Sequence, residues 1–140
     1  MKPYLRKAQY HETDQMGIIH HANYVRWMEE ARIEYMEQIG YGYDAAVKAG
    51  IDFAVTGVTC EYKSMVRFSD TVLIDVSMSL LTQTRMTVRY TIVDAETGDL
   101  RFTGESRHCY FSNEKKRPVS LKKALPDLYA LFEKQMSKDQ

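Results

Sequence analysis

The stretch NYVRWMEEARIEYMEQIG, residues 23–40, decides how the rest of the chain is read. Tyr24, Trp27, Met28, Ala31, Tyr35 and Ile39 recur at helical spacing, while Arg26, Glu29, Glu30, Glu34 and Glu37 fall mostly outside that stripe. Asn23 suits an N-cap and Gly40 a C-terminal stop, so the spacing predicts a helix over 23–39. Side chains of this size along one face need a large partner surface.

Strands on either side of the helix are expected to supply that surface. Residues 4–13 mix Tyr4, Leu5 and Tyr10 with polar neighbours and predict a first strand, broken at Asp14-Gln15-Met16-Gly17. A short helical piece near 44–48 precedes Gly50. Beyond it the period becomes two. Val58, Cys60 and Tyr62 alternate with polar residues, as do Val72 to Leu80, Met86 to Ile92, and Leu100 to Tyr110. Asp94 to Gly98 reads as a hairpin connection, and the consecutive strands predict an antiparallel meander with one buried face. After Pro118, a terminal helix is expected from about Pro126, with Leu128, Leu131, Phe132 and Met136 as its stripe. The predicted fold is α+β, a curved antiparallel sheet wrapped around a long central helix with a C-terminal helix. Without an internal repeat or linker, residues 1–140 are expected to form one domain.

Composition narrows the function. Of 140 residues, 44% are apolar and 27% charged, which suits a globular core. Nineteen Lys and Arg balance nineteen Asp and Glu, leaving no electrostatic footprint for nucleic acid or an anionic membrane. No apolar run is long enough for membrane insertion, and Met1 to Gln9 is too polar for a signal peptide. Cys60 and Cys109 lack any CxxC spacing and read as two reduced thiols. A cytoplasmic protein is expected.

The chemistry concentrates between Tyr10 and Tyr24. This segment holds three of the four histidines and the carboxylates of Glu12 and Asp14, and it runs through a Gly turn into the long helix. A helix N-terminus offers unpaired N–H groups and partial positive charge to a developing oxyanion. A carboxylate just ahead of it can serve as nucleophile or general base. Taken alone, Asp14 beside Gly17 also fits a plain turn residue, and Tyr10 a strand-end core tyrosine. Zinc sites space their histidines to share one face, and adjacent His20 and His21 do not; no metal site is expected.

The pattern Gln9-Tyr10-x-x-Thr13-Asp14-x-x-Gly17-Ile18-Ile19-x-His21-x-Asn23-Tyr24 resembles the signature of the 4-hydroxybenzoyl-CoA thioesterase family of hotdog-fold enzymes. Within it, the chain is most similar to the bacterial acyl-CoA thioesterases associated with the Tol-Pal system, over roughly Lys7 to Leu125. The resemblance implies hydrolysis of acyl-CoA to a carboxylic acid and free CoA, without metal or organic cofactor. It implies Asp14 as the catalytic carboxylate and Tyr10 and His21 as assisting residues, with the His21 N–H polarising the thioester carbonyl. It also implies sheets paired edge to edge in a homodimer or homotetramer. Two departures stand out: Glu12 where relatives often have Asp, and Ser64 where a Pro is frequent.

Other readings remain open at this point. A hotdog dehydratase or hydratase would need a His with a carboxylate in a different context. A non-catalytic acyl-CoA-binding domain would need a lost carboxylate or an attached DNA-binding segment. Lys115, Lys116, Arg117, Lys122 and Lys123 could meet the CoA phosphates at the pocket mouth, although a solvated loop is the commoner explanation. Glu12→Gln serves as the expected silent control for Asp14→Asn.

Overall fold

The computed structural model describes residues 1–139. Strand β1 (Tyr4–Lys7) leads through a 3₁₀ turn (Tyr10–Glu12) to helix α1 (Asn23–Gln38) and the short α2 (Tyr43–Lys48). Strands β2 (Ile51–Tyr62), β3 (Thr71–Leu81), β4 (Arg85–Asp94) and β5 (Leu100–Ser112) follow. A two-residue β6 (Arg117–Pro118), the single turn α3 (Leu121–Ala124) and helix α4 (Pro126–Asp139) complete it.

The sheet is antiparallel in the order β1-β3-β4-β5-β2, with β6 added to β5. Only β3, β4 and β5 form the expected meander. Strand β2 does not pair with β3 but lies at the far edge on β5, from Ile51↔Ser112 to Tyr62↔Phe102. The cause is the connection after it. Residues 63–70 are too long for a tight hairpin and instead span about three interstrand spacings of roughly 4.8 Å.

The helical stripe is buried as its spacing predicts. Trp27, Met28, Ala31, Tyr35 and Met36 pack on the inward residues of the sheet, among them Val72, Ile74, Val88, Tyr90, Ile92 and Phe102. Gly104 lets α1 approach closely, since a Cβ there would lie 2.9 Å from Met28 Sδ. Helix α4 closes the other end with Leu128 and Phe132, and Asp139 accepts from the Met78 N–H (3.0 Å) and the Tyr35 hydroxyl (3.2 Å).

The first strand is shorter than the spacing predicts. It stops at Lys7, because Glu12 folds back beneath the chain and takes the Gln9 N–H at 2.9 Å, curling residues 10–12 into the 3₁₀ turn. Nor does Asn23 cap α1. Ala22 ahead of it is already helical, and the Asn23 amide donates to Glu12 O at 2.9 Å. The α1 start is thereby tied to the 3₁₀ turn. Lys122 and Lys123 belong to α3, which the sequence pattern did not reveal.

Candidate active site

Glu12 anchors this corner of the molecule. It is 3% exposed, and its carboxylate accepts from Arg6 Nη1 (3.1 Å), Arg6 Nη2 (2.8 Å), Trp27 Nε1 (2.8 Å) and the Gln9 N–H (2.9 Å). Its carbonyl accepts from the His20 N–H at 2.8 Å, beside the Asn23 amide. Arg6 also bonds Glu30 at 2.8 Å. Every lone pair that burial would penalise has a donor. This is scaffold chemistry.

Two residues on, Asp14 is half-buried. One oxygen, Oδ1, accepts the Met16 N–H at 2.8 Å, while the Asp14 and Gly17 amides close the turn with Ile18 O (2.8 Å) and Asp14 O (3.1 Å). Gly17 has φ +78°, a conformation costly for residues with a Cβ. Among the described residues, the second carboxylate oxygen has no hydrogen-bond partner.

Asp14 and His21 line one cavity of about 350 Å³ together with Ile18, Ile19, Tyr24, Tyr62, Lys63, Ser64 and Met65. It opens at the beginning of α1. Three amides there are engaged: His20 N–H to Glu12 O, Ala22 N–H to His20 Nδ1 at 3.2 Å, and Asn23 N–H to His20 O at 3.0 Å. Among the described residues the His21 N–H has no acceptor, so it is free for a ligand oxygen. The His21 ring is exposed and stacks on His20, centroids 4.2 Å apart. Tyr10 stands outside the lining, 75% exposed, with its ring edge-on to Phe68 at 5.6 Å. The structure thus brings Asp14 and His21 together and leaves Tyr10 outside the cavity lining.

Four of the nine lining residues lie outside the motif. Tyr62 ends β2, and Lys63, Ser64 and Met65 begin the crossing to β3. The crossing is laced to the motif by the Ile19 N–H to Val66 O bond (2.8 Å) and the Ile18↔Arg67 bridge. Ser64 uses the N–H that a Pro would lack, donating to Arg101 O at 3.2 Å, and its hydroxyl donates to Leu100 O at 2.7 Å. Alternation marks Tyr62, but no periodicity in the sequence marks Lys63, Ser64 or Met65.

Lys115, Arg117 and Lys123 line a separate open cleft of about 520 Å³ beside Ile51 and Ser112. Because Ile51↔Ser112 and Tyr62↔Phe102 mark opposite ends of the β2–β5 pair, cleft and cavity lie about 35 Å apart along the strand at roughly 3.3 Å per residue. The basic cluster is not at the mouth of the Asp14 cavity of its own chain. Among the described residues, no group of three His, Cys, Asp or Glu side chains converges as a metal site would require.

A curled antiparallel sheet wrapped around a long helix is the hotdog architecture. Residues 8–130 match the thioesterase-like superfamily, and the chain belongs to that family. YneP of Bacillus subtilis, by name a candidate acyl-CoA thioesterase, is 30% identical over 128 residues, 91% of this chain and 92% of that one. The acyl-CoA thioester hydrolase YbgC of Escherichia coli is 29% identical over 90 residues, 64% of this chain and 67% of that one. A DHNA-CoA thioesterase structure from Staphylococcus aureus superposes with a TM-score of 0.92 at 29% identity, covering 97% of this chain and 91% of that chain.

Proposed function

We propose that Asp14 performs the chemistry of an acyl-CoA thioesterase on this scaffold. The chain hydrolyses an acyl-CoA to a carboxylic acid and free CoA. The observation that carries this reading is the pairing, in one cavity, of a carboxylate with a free oxygen and an unpaired N–H at the start of a sixteen-residue helix.

The thioester carbonyl oxygen lies on the His21 N–H, where the helix N-terminus stabilises negative charge as the carbonyl carbon is attacked. Asp14 supplies the attacking pair in one of two ways. Its free oxygen adds to the carbon, the C–S bond breaks, and water cleaves the resulting anhydride. Alternatively it takes a proton from water, and that water adds. In both, CoA leaves as thiolate, a better leaving group than an alkoxide, and ionised Asp14 is required. The motif supports assisting roles for the His21 ring on the cavity wall and for Tyr10, whose exposed ring stands outside the lining. Neither route calls on a metal or organic cofactor.

The motif supports the finer kinship with Tol-Pal-associated acyl-CoA thioesterases, and the free thiols of Cys60 and Cys109 are in keeping with a cytoplasmic setting. No described helix is long and apolar enough to cross a membrane. The outer side of β2 is an unpaired sheet edge bearing exposed Val55 and Val58, which supports a homodimer or homotetramer. Light scattering at micromolar concentration tests this, and a fully active monomer refutes it. The function itself is tested by free-thiol release from a panel of short, long, branched and aromatic acyl-CoAs with EDTA present. Turnover of at least one member is expected. No release from any, or release only when a metal is restored, contradicts the reading.

A further inference from the structure

The unpaired His21 N–H is only as useful as it is fixed. It belongs to the peptide between His20 and His21, whose carbonyl accepts the Asn23 N–H at 3.0 Å. Rotation about the next peptide, between His21 and Ala22, would still swing the turn. That second peptide is held on one side by the Ala22 N–H bond to His20 Nδ1 (3.2 Å) and on the other at His21 O, which accepts the Tyr24 N–H at a long 3.4 Å and the Tyr62 hydroxyl at a shorter 3.1 Å. Tyr62 comes from the end of β2, 41 residues away along the chain.

Its aim is set by its neighbours. The ring meets Tyr24 of α1 edge-on at 5.1 Å and Phe102 of β5 at 5.3 Å, so helix, central sheet and edge strand jointly point the hydroxyl. Partial burial, with Cys60 nearby, pushes the hydroxyl up to about 12, so it remains a donor at neutral pH. No other side-chain hydroxyl bonds the 19–23 turn among the described residues.

We propose that Tyr62 is a positioning residue for hydrolysis: its hydroxyl clamps the His21 carbonyl and thereby holds the His21 N–H on the thioester oxygen. This rests on that N–H acting as the oxyanion donor. Tyr62 touches no reacting atom in this role; it narrows where the donor can point. Deleting an oxyanion donor outright lowers kcat by about 10² to 10³, and loosening one should cost less, about tenfold.

Tyr62→Phe tests the clamp, because the ring and its aromatic packing stay and only the hydroxyl goes. Expected are a kcat about tenfold lower, KM within about twofold, and an unmoved pH profile, since Asp14 is untouched. Amide exchange at Ala22 and Tyr24, whose N–H groups are bonded within this turn, should quicken when followed by NMR while the melting temperature holds. A buried packing role would not produce that local quickening together with a kcat-only defect. Unchanged kcat, unchanged exchange, or a KM rise with kcat intact each overturns the proposal, the last by making Tyr62 a substrate contact. The two readings also fail differently. No thiol release by the unaltered protein removes the thioesterase reading and with it any role in hydrolysis. Normal turnover in both proteins removes the clamp alone.

Discussion

Two neighbouring regions use the same chemical group for opposite ends. Around the 3₁₀ turn, the Glu12 carboxylate is 3% exposed and saturated by Arg6, Trp27 and the Gln9 N–H. Around the Gly17 turn, Asp14 is half-buried, takes one backbone N–H, and keeps an oxygen free beside a cavity. A carboxylate whose lone pairs are all engaged cannot attack or accept a proton without breaking the corner of the fold. One with a free oxygen can. The difference is partner number, not residue type, and sequence proximity hides it.

The sharpest way to break the comparison is Asp14→Asn. The amide keeps the Met16 N–H bond and nearly the same volume but loses the charge. General-base assistance is worth roughly 10² to 10⁴ in rate, so kcat should fall at least that far with KM nearly unchanged. Steady-state CoA release measures it, and a kcat within tenfold of normal would be incompatible.

Glu12→Gln should do the converse. Sequence proximity alone makes it a silent control; the structure corrects that, because it removes the charge by which buried Glu12 pairs with half-buried Arg6. Breaking a buried pair costs on the order of 3 kcal/mol, or about 10 °C in melting temperature for a chain of this size. Turnover per folded molecule should drop by less than tenfold. A variant as stable as the parent would mean that the Glu12 network contributes little.

A third, smaller effect extends the buried side of the comparison to His108, 1% exposed on β5. Ser106 Oγ lies 2.7 Å from its Nε2, Tyr90 OH lies 2.6 Å from Ser106 Oγ, and Arg32 Nη1 donates to Tyr90 OH at 3.0 Å. With Nδ1 facing Phe53 O at 3.4 Å, neutral His108 completes one directed chain of donors. Burial first, and the Arg32 charge second, push its ring down from the ordinary 6.5 to about 4. The unfolded chain therefore takes up a proton near pH 6.5 and the folded one only near pH 4. Stability should be full above pH 6.5 and fall as pH drops through that window, by up to roughly 3 kcal/mol. Denaturant titrations between pH 7 and 4 measure it, and His108→Gln should flatten the slope. An equal slope in both proteins contradicts the assignment.

What the sequence showed and what it hid follow from the range of the interactions. Helix α1, the three meander strands and the Asp94–Gly98 hairpin are set by local periodicity and turn chemistry, and they stand within a few residues of where their patterns place them. Asp14 and His21 share a short motif, so their meeting was legible too. The 3₁₀ turn was not, because Glu12 curls the chain only by reaching Arg6 and Trp27. The edge position of β2 was hidden as well, since alternation records which face a strand buries and not which neighbour it takes. Tyr62 and Ser64 reach the cavity through that misplaced strand and its crossing. His108 and Ser106 sit on the inward phase of β5, where the alternation marked them as buried but could not reveal that they complete each other.

The division of labour between Asp14 and Glu12 is tested most directly by measuring both variants side by side on the best acyl-CoA, with turnover corrected for the folded fraction from melting curves in the same buffer. Asp14→Asn should melt within about 2 °C of the parent and lose at least 10² in kcat, while Glu12→Gln melts about 10 °C lower and keeps most of its corrected turnover. A folded, active Asp14→Asn beside a folded, inactive Glu12→Gln would reverse the two roles and contradict the account.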